Sequence, residues 1–433
     1  MGVTEQTSVP TPWQTPRATG PVLSTVSLPG SKSMTARALV LSAAAVKHSS
    51  LAEPLIARDT TLMAGALRAM GVGVNTAEDN LWVIRPQPLH GPADIDCGLA
   101  GTVMRFVPPL AALATGAVRF DGDAYARERP MGPLLKALSA IGVQISDEGR
   151  GALPFVIHGT GSVRGGELTV DASKTSQLIS GLLLSAADFD RGLVLRHIGP
   201  PVPSAPHIQM TIAMIRAAGG AVDDSRPNVW EVEPGQLTGR AWEIEPDLSN
   251  AAPFLAAALV TGGEVTIAGW PHNTTQPGDA LRGLLTEMGG ECVLDDRGLT
   301  VKGTGRVKGI DADLSDVSEL TPAVAALCAL ADSPSTLRGV AHIRGHETNR
   351  LEALATELNR LGCKVEETDD GLRIAPRRLT GAVFETYADH RMAQAGAILG
   401  LVVDGISLDD VACTTKTLSD FPGMWTRMLE DGS

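Results

Sequence analysis

The sequence predicts an α/β protein of two domains, each built from three βαβαββ modules of roughly 70 residues. A helix that ends in a glycine and leads into a strand recurs five times, with the glycines spaced 71, 77, 70 and 73 residues apart. An alanine- and leucine-rich helix lies upstream of each glycine, and a pair of short strands around an acidic turn follows it. The five glycines are Gly71, Gly142, Gly219, Gly289 and Gly362.

The number of modules predicts the number of domains. A sixth copy begins at Arg391 and is cut short by the C-terminus. A chain of 433 residues fits two or three domains, and six modules divide evenly into two domains of three. The first 20 residues, rich in threonine and proline, are expected to form a frayed tail.

The composition is that of a globular protein, with 43% hydrophobic, 20% charged and only 3% aromatic residues. No apolar run is long enough to span a membrane, and the net charge of −13 disfavours a surface for nucleic acid or anionic lipid. The five cysteines are odd in number and lack CxxC spacing, which favours reduced thiols in the cytoplasm over disulfides or zinc. No metal or cofactor is predicted, and an anionic ligand would need a local cluster of basic residues.

Polar and charged residues open the first helix of several modules. Four of the five such segments are predicted to lie at or just before a helix N-terminus, where free N–H groups and the helix dipole favour anions. Several helix starts that face a common centre would form a site for more than one anion. The five segments are residues 29–37, 97–105, 171–177, 345–350 and 387–391.

No single segment decides the function. Ser33 and Arg37 share one helix face, which is equally typical of a capped surface helix, and the residues around Lys32 fail the P-loop pattern. Glu347 and Arg350 are three residues apart and could form an ordinary solvated ion pair.

Taken together, in order and spacing, the segments resemble the enolpyruvyl transferase family from about residue 20 to the end. The motifs that carry the resemblance are PGSKS with a following arginine (29–37), LAGTVMRF (99–106), ERP (128–130), TSQ (175–177), PSAPH (203–207), ETNR (347–350), DHRMA (389–393) and KT (416–417). The resemblance implies an inside-out α/β barrel, in which each domain surrounds buried parallel helices with three modules.

The resemblance also implies domain boundaries. One domain would span residues 31–246, and the other would combine residues 1–30 with 247–433. The segments near Leu28–Gly30 and Glu245–Asp247 would be the crossovers, with the active site in the cleft between the domains.

The implied reaction transfers the carboxyvinyl group of phosphoenolpyruvate to the 5-hydroxyl of shikimate 3-phosphate, with release of phosphate, on the route to chorismate and the aromatic amino acids. By resemblance the catalytic residues are Lys32, Glu319 and Glu347. Those expected to bind phosphoenolpyruvate are Lys32, Gly101, Arg129, Gln177, Arg350, Arg391 and Lys416. Those expected to bind shikimate 3-phosphate are Ser33, Arg37, Thr175, Ser176, Gln177, Ser204, Glu319 and His346. A cytoplasmic monomer with only small-molecule partners is expected.

Four positions depart from the pattern of many relatives. Thr175 stands where many have Ser, which keeps the hydroxyl. Glu319 stands where many have Asp, which lengthens the reach of the base by one methylene. His346 stands where many have Lys, so a substrate contact there is predicted to depend on pH. Asn349 replaces a common Asp, and Arg350 beside it is predicted to lose a neighbouring carboxylate.

Two other functions compete with this interpretation. The first is enolpyruvyl transfer to UDP-N-acetylglucosamine, but many enzymes of that group carry a cysteine in the loop equivalent to residues 119–130, and this chain has none there. The second is a non-catalytic repeat protein that binds anionic metabolites, which the retention of Lys32, Glu319 and Glu347 disfavours.

Overall fold

The computed structural model describes residues 11–431, which form two compact units. The N-terminal unit comprises Leu28–Leu248 and Pro271–Asp279. The C-terminal unit takes its described residues from Met1–Ser27, Ser249–Trp270 and Ala280–Ser433. The segment Pro271–Asp279, which the predicted boundaries assigned to the other domain, therefore packs with modules one to three.

The N-terminal unit contains modules one to three. Two short strands precede the first module along the chain and belong to the other unit: β1 (Trp13–Gln14) and β2 (Leu23–Val26). The elements of module one are α1 (Lys32–Ala44), β3 (Ser49–Ala52), α2 (Arg58–Ala69), β4 (Gly73–Glu78) and β5 (Leu81–Arg85). Those of module two are β6 (Ala93–Asp96), α3 (Gly101–Ala111), β7 (Thr115–Asp121), α4 (Gly132–Ala140), β8 (Gln144–Ser146) and β9 (Phe155–Thr160). Those of module three are β10 (Gly166–Val170), α5 (Gln177–Ser185), β11 (Leu193–His197), α6 (Pro206–Ala217), β12 (Val222–Asp223) and β13 (Val229–Val232), followed by β14 (Ala241–Glu243).

The C-terminal unit contains modules four to six. The elements of module four are α7 (Ala252–Thr261), β15 (Glu264–Ala268), α8 (Leu281–Glu287), β16 (Glu291–Asp295) and β17 (Gly298–Lys302). Those of module five are β18 (Asp311–Asp313), α9 (Thr321–Ala329), β19 (Ser335–Arg338), α10 (Arg350–Arg360), β20 (Lys364–Glu367) and β21 (Leu372–Ala375). Those of module six are β22 (Val383–Phe384), α11 (His390–Gly400), β23 (Ser407–Leu408) and α12 (Phe421–Glu430). None of the helices among residues 11–431 combines the length and hydropathy that a membrane span requires.

Each module builds one mixed sheet, and the predicted modular α/β fold is confirmed. Modules two, three and five are self-contained four-stranded sheets, with strand order β6-β7-β9-β8 in module two. Modules one and four each take their first strand from elsewhere in the chain. Strand β14 pairs in parallel with β3, and β2 pairs in parallel with β15. Module six is the truncated copy, a three-stranded sheet ordered β1-β23-β22.

The expected frayed tail is wrong for the residues after position 12. Trp13 and Gln14 pair antiparallel with Leu408 and Ser407 and so complete the truncated sheet of module six. The Trp13 ring also packs 6.3 Å from the ring of Phe421. Backbone pairing and an aromatic contact hold this segment, although its composition is that of a loop. The first ten residues of the predicted tail lie outside the described part of the chain.

The repeated glycines end the second helix of modules one to five. Gly71, Gly142, Gly219, Gly289 and Gly362 have φ values of 97°, 99°, 91°, 102° and 102°. A side chain is strained at such φ values, so glycine is the residue that can end these helices in this way. The motif that predicted the modules is therefore a repeated helix-capping motif.

The first helix of each module is buried and forms the centre of its unit. In the N-terminal unit α1, α3 and α5 contact one another, and in the C-terminal unit α7, α9 and α11 do so. All eleven residues of α3 are buried. A helix without a polar face suits such a position, because every side of it packs against protein. These same helices carry candidate site residues at their N-termini.

The predicted crossover segments pair with each other inside the N-terminal unit. Gly30 forms an antiparallel bridge with Pro246. The Ser31 N–H donates to Glu245 O at 2.7 Å, and the Asp247 N–H donates to Pro29 O at 2.9 Å. A Cβ atom at Gly30 would lie 2.1 Å from a neighbouring carbonyl oxygen, so the bridge requires glycine. Their function as crossovers stays a prediction.

Candidate active site

All five polar segments lie at helix starts, one more than predicted. They lead into α1, α3 and α5 in the N-terminal unit and into α10 and α11 in the C-terminal unit. Four of these five are the buried first helices of their modules, and α10 is the second helix of module five. Each segment thus brings side chains to a place where backbone N–H groups are unpaired by the helix itself.

Lys32 is the first residue of α1 and is held by two aspartates. Its Nζ lies 3.5 Å from Asp59 Oδ2, and its N–H donates to Asp247 Oδ2 at 3.1 Å. Ser31 caps the helix, with its Oγ accepting from the Met34 N–H at 3.4 Å. The Lys32 side chain is 21% exposed, so its ammonium group can still reach a ligand. Neither aspartate was among the predicted site residues, since both act through tertiary contacts.

Arg37 is buried and held by neighbouring oxygens. Its guanidinium donates to Thr211 Oγ1 at 2.8 Å, to Ser33 O at 2.9 Å and to His207 O at 3.1 Å. Burial lowers the pKa of Arg37 to about 9, which leaves it cationic at neutral pH. The predicted pairing of Ser33 and Arg37 on one face of α1 is thus seen in a hydrogen bond from Arg37 to the Ser33 carbonyl.

Three side chains converge on the backbone at Gly101. A Cβ atom there would lie 3.1 Å from Gln177 Oε1, 3.2 Å from an Arg129 nitrogen and 3.4 Å from an Arg105 nitrogen. Arg129 also donates to Leu99 O at 3.3 Å, and its Nε is buried without a hydrogen-bond partner among residues 11–431. The structure therefore brings the predicted residues Gly101, Arg129 and Gln177 together. Arg105 lies in a quoted motif but was not among the predicted site residues.

The start of α5 carries three polar residues in a row. Thr175 Oγ1 accepts from the Gln177 N–H at 3.2 Å, and Ser176 between them is buried. Ser204 is also buried and has a φ of 52°, just before α6 begins at Pro206.

His197 joins the two loops that carry these residues. Its Nδ1 accepts from the Ala172 N–H at 3.1 Å. Its Nε2 is therefore the protonated nitrogen and donates to Pro200 O at 2.8 Å. The neutral ring thus ties the segment before Thr175 to the segment before Ser204. His197 lies in none of the motifs found in the sequence and was not predicted.

Arg350 is the centre of a buried cluster in the C-terminal unit. Its guanidinium binds both oxygens of Asp389, at 2.7 and 3.1 Å, and Glu347 Oε2 at 3.0 Å. The side chains of Arg350 and Asp389 are 3% and 0% exposed. Burial alone would lower the pKa of Arg350, but the carboxylates of Asp389 and Glu347 outweigh it, so the pKa is raised.

Glu347 lies between two cations. Besides Arg350, its other oxygen Oε1 accepts from Lys416 Nζ at 2.7 Å. The side chains of Glu347 and Lys416 are 13% and 11% exposed, so the interpretation of residues 347 and 350 as a solvated surface pair is wrong. We call His346, Glu347, Arg350, Asp389 and Lys416 the Arg350 cluster.

The two unusual residues of this region have defined contacts. Asn349 caps α10, with its side chain accepting from the Glu352 N–H at 3.4 Å. Arg350 obtains its buried carboxylate from Asp389, so it does not lack one as expected from Asn349. His346 Nδ1 lies 3.2 Å from an Arg350 nitrogen, and because a guanidinium only donates, this Nδ1 accepts. The pH dependence of a substrate contact at His346 stays a prediction.

Arg391 lies at the start of α11, one residue beyond His390. Its N–H donates to Asp389 Oδ1 at 2.9 Å, which makes Asp389 both the cap of α11 and the partner of Arg350. Its guanidinium donates to Ser249 O at 2.7 Å and to Gln394 Oε1 at 3.2 Å.

Glu319 lies in a helical turn, Ser318–Leu320, directly before α9. It is close enough to His342 and Arg350 to act on the pKa of each. Burial lowers the pKa of His342 to about 4, with Glu319 opposing and Arg350 adding to this shift. Within residues 11–431 the buried Nε2 of His342 has no hydrogen-bond partner, and its ring lies 5.7 Å from that of His346. Sequence reasoning missed His342, which carries no recognisable motif of its own.

Each unit offers its own chemistry. The N-terminal unit presents a lysine, an arginine and hydroxyl groups at helix starts, which suits phosphate and carboxylate groups. The C-terminal unit presents acids in contact with cations, which suits proton transfer next to an anion. Across residues 11–431, no group of three His, Cys, Asp or Glu side chains is placed to hold a metal ion.

Comparisons with known proteins agree on one family. The family model described as EPSP synthase (3-phosphoshikimate 1-carboxyvinyltransferase) matches residues 16–425. A relative from Kocuria rhizophila named 3-phosphoshikimate 1-carboxyvinyltransferase is 54% identical over 428 residues, covering 96% of each chain.

Two solved structures share the fold. EPSP synthase from Acinetobacter baumannii matches with a TM-score of 0.81 at 23% identity, over 96% of this chain and 97% of that one. The enolpyruvyl transferase NikO from Streptomyces tendae matches with a TM-score of 0.75 at 16% identity, over 95% and 96% of the two chains. At these identities the likeness supports the predicted inside-out α/β fold.

Proposed function

Because this chain belongs to the EPSP synthase family, we infer that it transfers the carboxyvinyl group of phosphoenolpyruvate to the 5-hydroxyl of shikimate 3-phosphate. The other product is inorganic phosphate. The reaction is a step in the synthesis of chorismate and the aromatic amino acids. The observation in the structure that best supports this chemistry is the nearly buried Glu347, in contact with both Arg350 and Lys416.

The reaction requires both proton transfer and charge stabilisation. The 5-hydroxyl oxygen bonds to C2 of phosphoenolpyruvate and loses its proton, while the methylene carbon gains one. The tetrahedral ketal phosphate then loses a proton from the new methyl group and breaks its C–O bond to phosphate. An acid and a base are needed for the protons, and fixed cations are needed for the departing phosphate.

We assign the proton transfers to Lys32, Glu319 and Glu347. Glu347 is assigned to proton transfer near the methylene carbon, and its low exposure and its contact with the Lys416 ammonium group, a proton donor, support this. Glu319 is supported as the base for the 5-hydroxyl by its position on a turn before α9, close to His342 and Arg350. Lys32 is supported by a partly exposed ammonium group that Asp59 holds at the start of α1.

We assign the substrate contacts by the same reasoning. Cations and free N–H groups at helix starts suit the phosphate and carboxylate of phosphoenolpyruvate. The proposed contacts to phosphoenolpyruvate are Lys32, Gly101, Arg129, Gln177, Arg350, Arg391 and Lys416. Hydroxyl and amide groups, with Arg37, suit the ring substituents of shikimate 3-phosphate. Its proposed contacts are Ser33, Arg37, Thr175, Ser176, Gln177, Ser204, Glu319 and His346.

The two alternative functions are disfavoured. The family match and the curated relative both name shikimate 3-phosphate chemistry, not transfer to UDP-N-acetylglucosamine. They also name an enzyme, which disfavours a repeat protein that only binds anions. We further propose a cytoplasmic location, supported by the odd number of cysteines without CxxC spacing. A monomer that needs no cofactor is proposed from the family resemblance.

A substrate exchange tests the proposal. Purified protein should release phosphate from phosphoenolpyruvate at a rate that saturates with both phosphoenolpyruvate and shikimate 3-phosphate. UDP-N-acetylglucosamine should not replace shikimate 3-phosphate, and if it alone supports release, the assignment is wrong. Release without any acceptor would indicate a phosphatase.

A lysine variant tests the catalytic assignment. Lys32→Met should lower kcat by at least about 100-fold, the usual size of an acid–base contribution. Lys136→Met, at an exposed position of α4, is the matched control and should keep full activity. Equal activity of the two variants would remove Lys32 from the proposed mechanism.

A further inference from the structure

A buried carboxylate, that of Glu357, lies on the same face of α10 as Arg350. Glu357 follows Arg350 by seven residues, which is about two helical turns, so the two side chains project from one face. Glu357 is fully buried. A carboxylate in the interior must be satisfied by donors, and its donors show what it holds in place.

The partners of Glu357 lie on α10 itself and on the segment 385–387. One oxygen accepts from the Tyr387 hydroxyl at 2.8 Å, and the other accepts from the Glu385 N–H at 3.1 Å. Arg360 on the next turn of α10 lies 3.3 Å from the second oxygen and also pairs with the Glu385 carboxylate at 3.0 Å. Glu357 therefore binds the segment 385–387, which leads directly into Asp389.

This segment has an uncommon backbone conformation. Tyr387 and Ala388 have φ values of 55° and 53°, and two successive non-glycine residues with positive φ are rare. Such a conformation persists only where the surrounding contacts enforce it. The turn is closed by the Asp389 N–H, which donates to Thr386 O at 2.9 Å. It directs the Asp389 carboxylate to Arg350 on one side and to the start of α11 on the other.

We propose that Tyr387 and Glu357 are a positioning pair for the Arg350 cluster and for Arg391. Segment 385–389 is attached to α10 at two points, at Glu357 through Tyr387 and Glu385 and at Arg350 through Asp389. The first attachment holds the left-handed turn, and the turn sets the position of the carboxylate that orients both arginines. Neither Tyr387 nor Glu357 needs to touch a substrate. The proposal rests on the assignment of Arg350 and Arg391 to phosphoenolpyruvate.

The pair can be tested by removing one oxygen atom. Tyr387→Phe keeps the ring and deletes the hydroxyl donor to Glu357. We expect the KM for phosphoenolpyruvate to rise about tenfold, the effect of losing one hydrogen bond to a charged group. The KM for shikimate 3-phosphate should stay within about twofold, because its proposed contacts, apart from Glu319 and His346, lie in the N-terminal unit. Tyr125→Phe, at the chain's other tyrosine, which is exposed, is the matched control and should change neither constant.

A second variant and a second measurement complete the test. Glu357→Gln keeps an acceptor for the Tyr387 hydroxyl but turns an NH2 group towards the Glu385 N–H and Arg360, which both need an acceptor. The KM for phosphoenolpyruvate should therefore rise at least as much as in Tyr387→Phe. Glu352→Gln, at an exposed position on the same helix, is its control. Hydrogen exchange of the Asp389 and Arg391 amides should be faster in Tyr387→Phe than in the wild type, because both amides close the turn or its cap.

The outcomes separate this proposal from the proposed function. Wild-type activity with an unchanged KM for phosphoenolpyruvate in Tyr387→Phe would overturn the positioning role, and so would an equal rise in both KM values. Loss of thermal stability with no change in either KM would assign the pair a structural role alone. If the wild type lacks the proposed activity, the exchange rates still decide whether the pair holds the turn.

Discussion

The buried pair of Arg350 and Asp389 should stabilise the C-terminal unit strongly, and Arg350→Lys tests this. Arg350 contacts carboxylate oxygens at 2.7, 3.1 and 3.0 Å, two of them on Asp389 and one on Glu347. A lysine ammonium cannot reproduce this two-pronged geometry and should lose at least two of the three contacts. Charge-assisted hydrogen bonds contribute about 1.5–3 kcal/mol each, so Arg350→Lys should lower the free energy of unfolding by about 3 kcal/mol or more.

A double-mutant cycle isolates the pair itself. Combining Arg350→Lys with Asp389→Asn should show a coupling of about 2 kcal/mol in urea denaturation, since the two residues share one network. The control pair is Arg297 and Asp295, which make similar contacts at 2.8–3.3 Å but are 71% and 38% exposed. It should show no measurable coupling. A coupling below about 0.5 kcal/mol at Arg350 and Asp389 would refute the reasoning that burial makes this pair strong.

Two further predictions concern His342 and Gly101 in the candidate site. Burial lowers the pKa of His342 from 6.5 to about 4. The unfolded chain therefore takes up a proton at this histidine at a higher pH than the native protein does. As a result, the free energy of unfolding falls as the pH decreases from about 6.5 towards 4. His342→Gln should therefore flatten the acid side of a plot of Tm against pH, and an unchanged slope would contradict the shift. Gly101→Ala would place a Cβ 3.1 Å from Gln177 and 3.2 Å from Arg129, both at the ends of flexible side chains, so Tm should change little. The KM for phosphoenolpyruvate should rise about tenfold as Arg129 is displaced, and an unchanged KM in steady-state kinetics would contradict that placement.

The modular fold could be predicted because its signal is local. Each glycine after a second helix adopts a positive φ, and this requirement is visible in the sequence wherever the module repeats. The sequence did not show which distant strands complete the sheets of modules one and six. Ala241–Glu243 completes the sheet of module one, and Trp13–Gln14 completes that of module six. Pairing across such distances depends on the tertiary fold, which a local pattern of residues does not encode.

In the candidate site, too, local features could be predicted and tertiary contacts could not. Segments at helix starts were predicted, because capping and anion binding depend on neighbouring residues in the chain. The partners of those residues were not predicted. Asp59 lies 27 residues from Lys32 along the chain, and Asp389 lies 39 residues from Arg350. The burial of Glu347 could not be predicted either, because a spacing of three residues indicates a pair on a helix but not its burial.

The central claim is that phosphate leaves phosphoenolpyruvate by cleavage of the bond between carbon and oxygen. Phosphoenolpyruvate labelled with ¹⁸O at the oxygen between C2 and phosphorus distinguishes cleavage of the C–O bond from cleavage of the P–O bond in a single reaction with shikimate 3-phosphate. Mass spectrometry should find the label in the released phosphate and an unlabelled carboxyvinyl ether as the second product. Unlabelled phosphate together with pyruvate would show cleavage between phosphorus and oxygen, and it would contradict carboxyvinyl transfer by this protein.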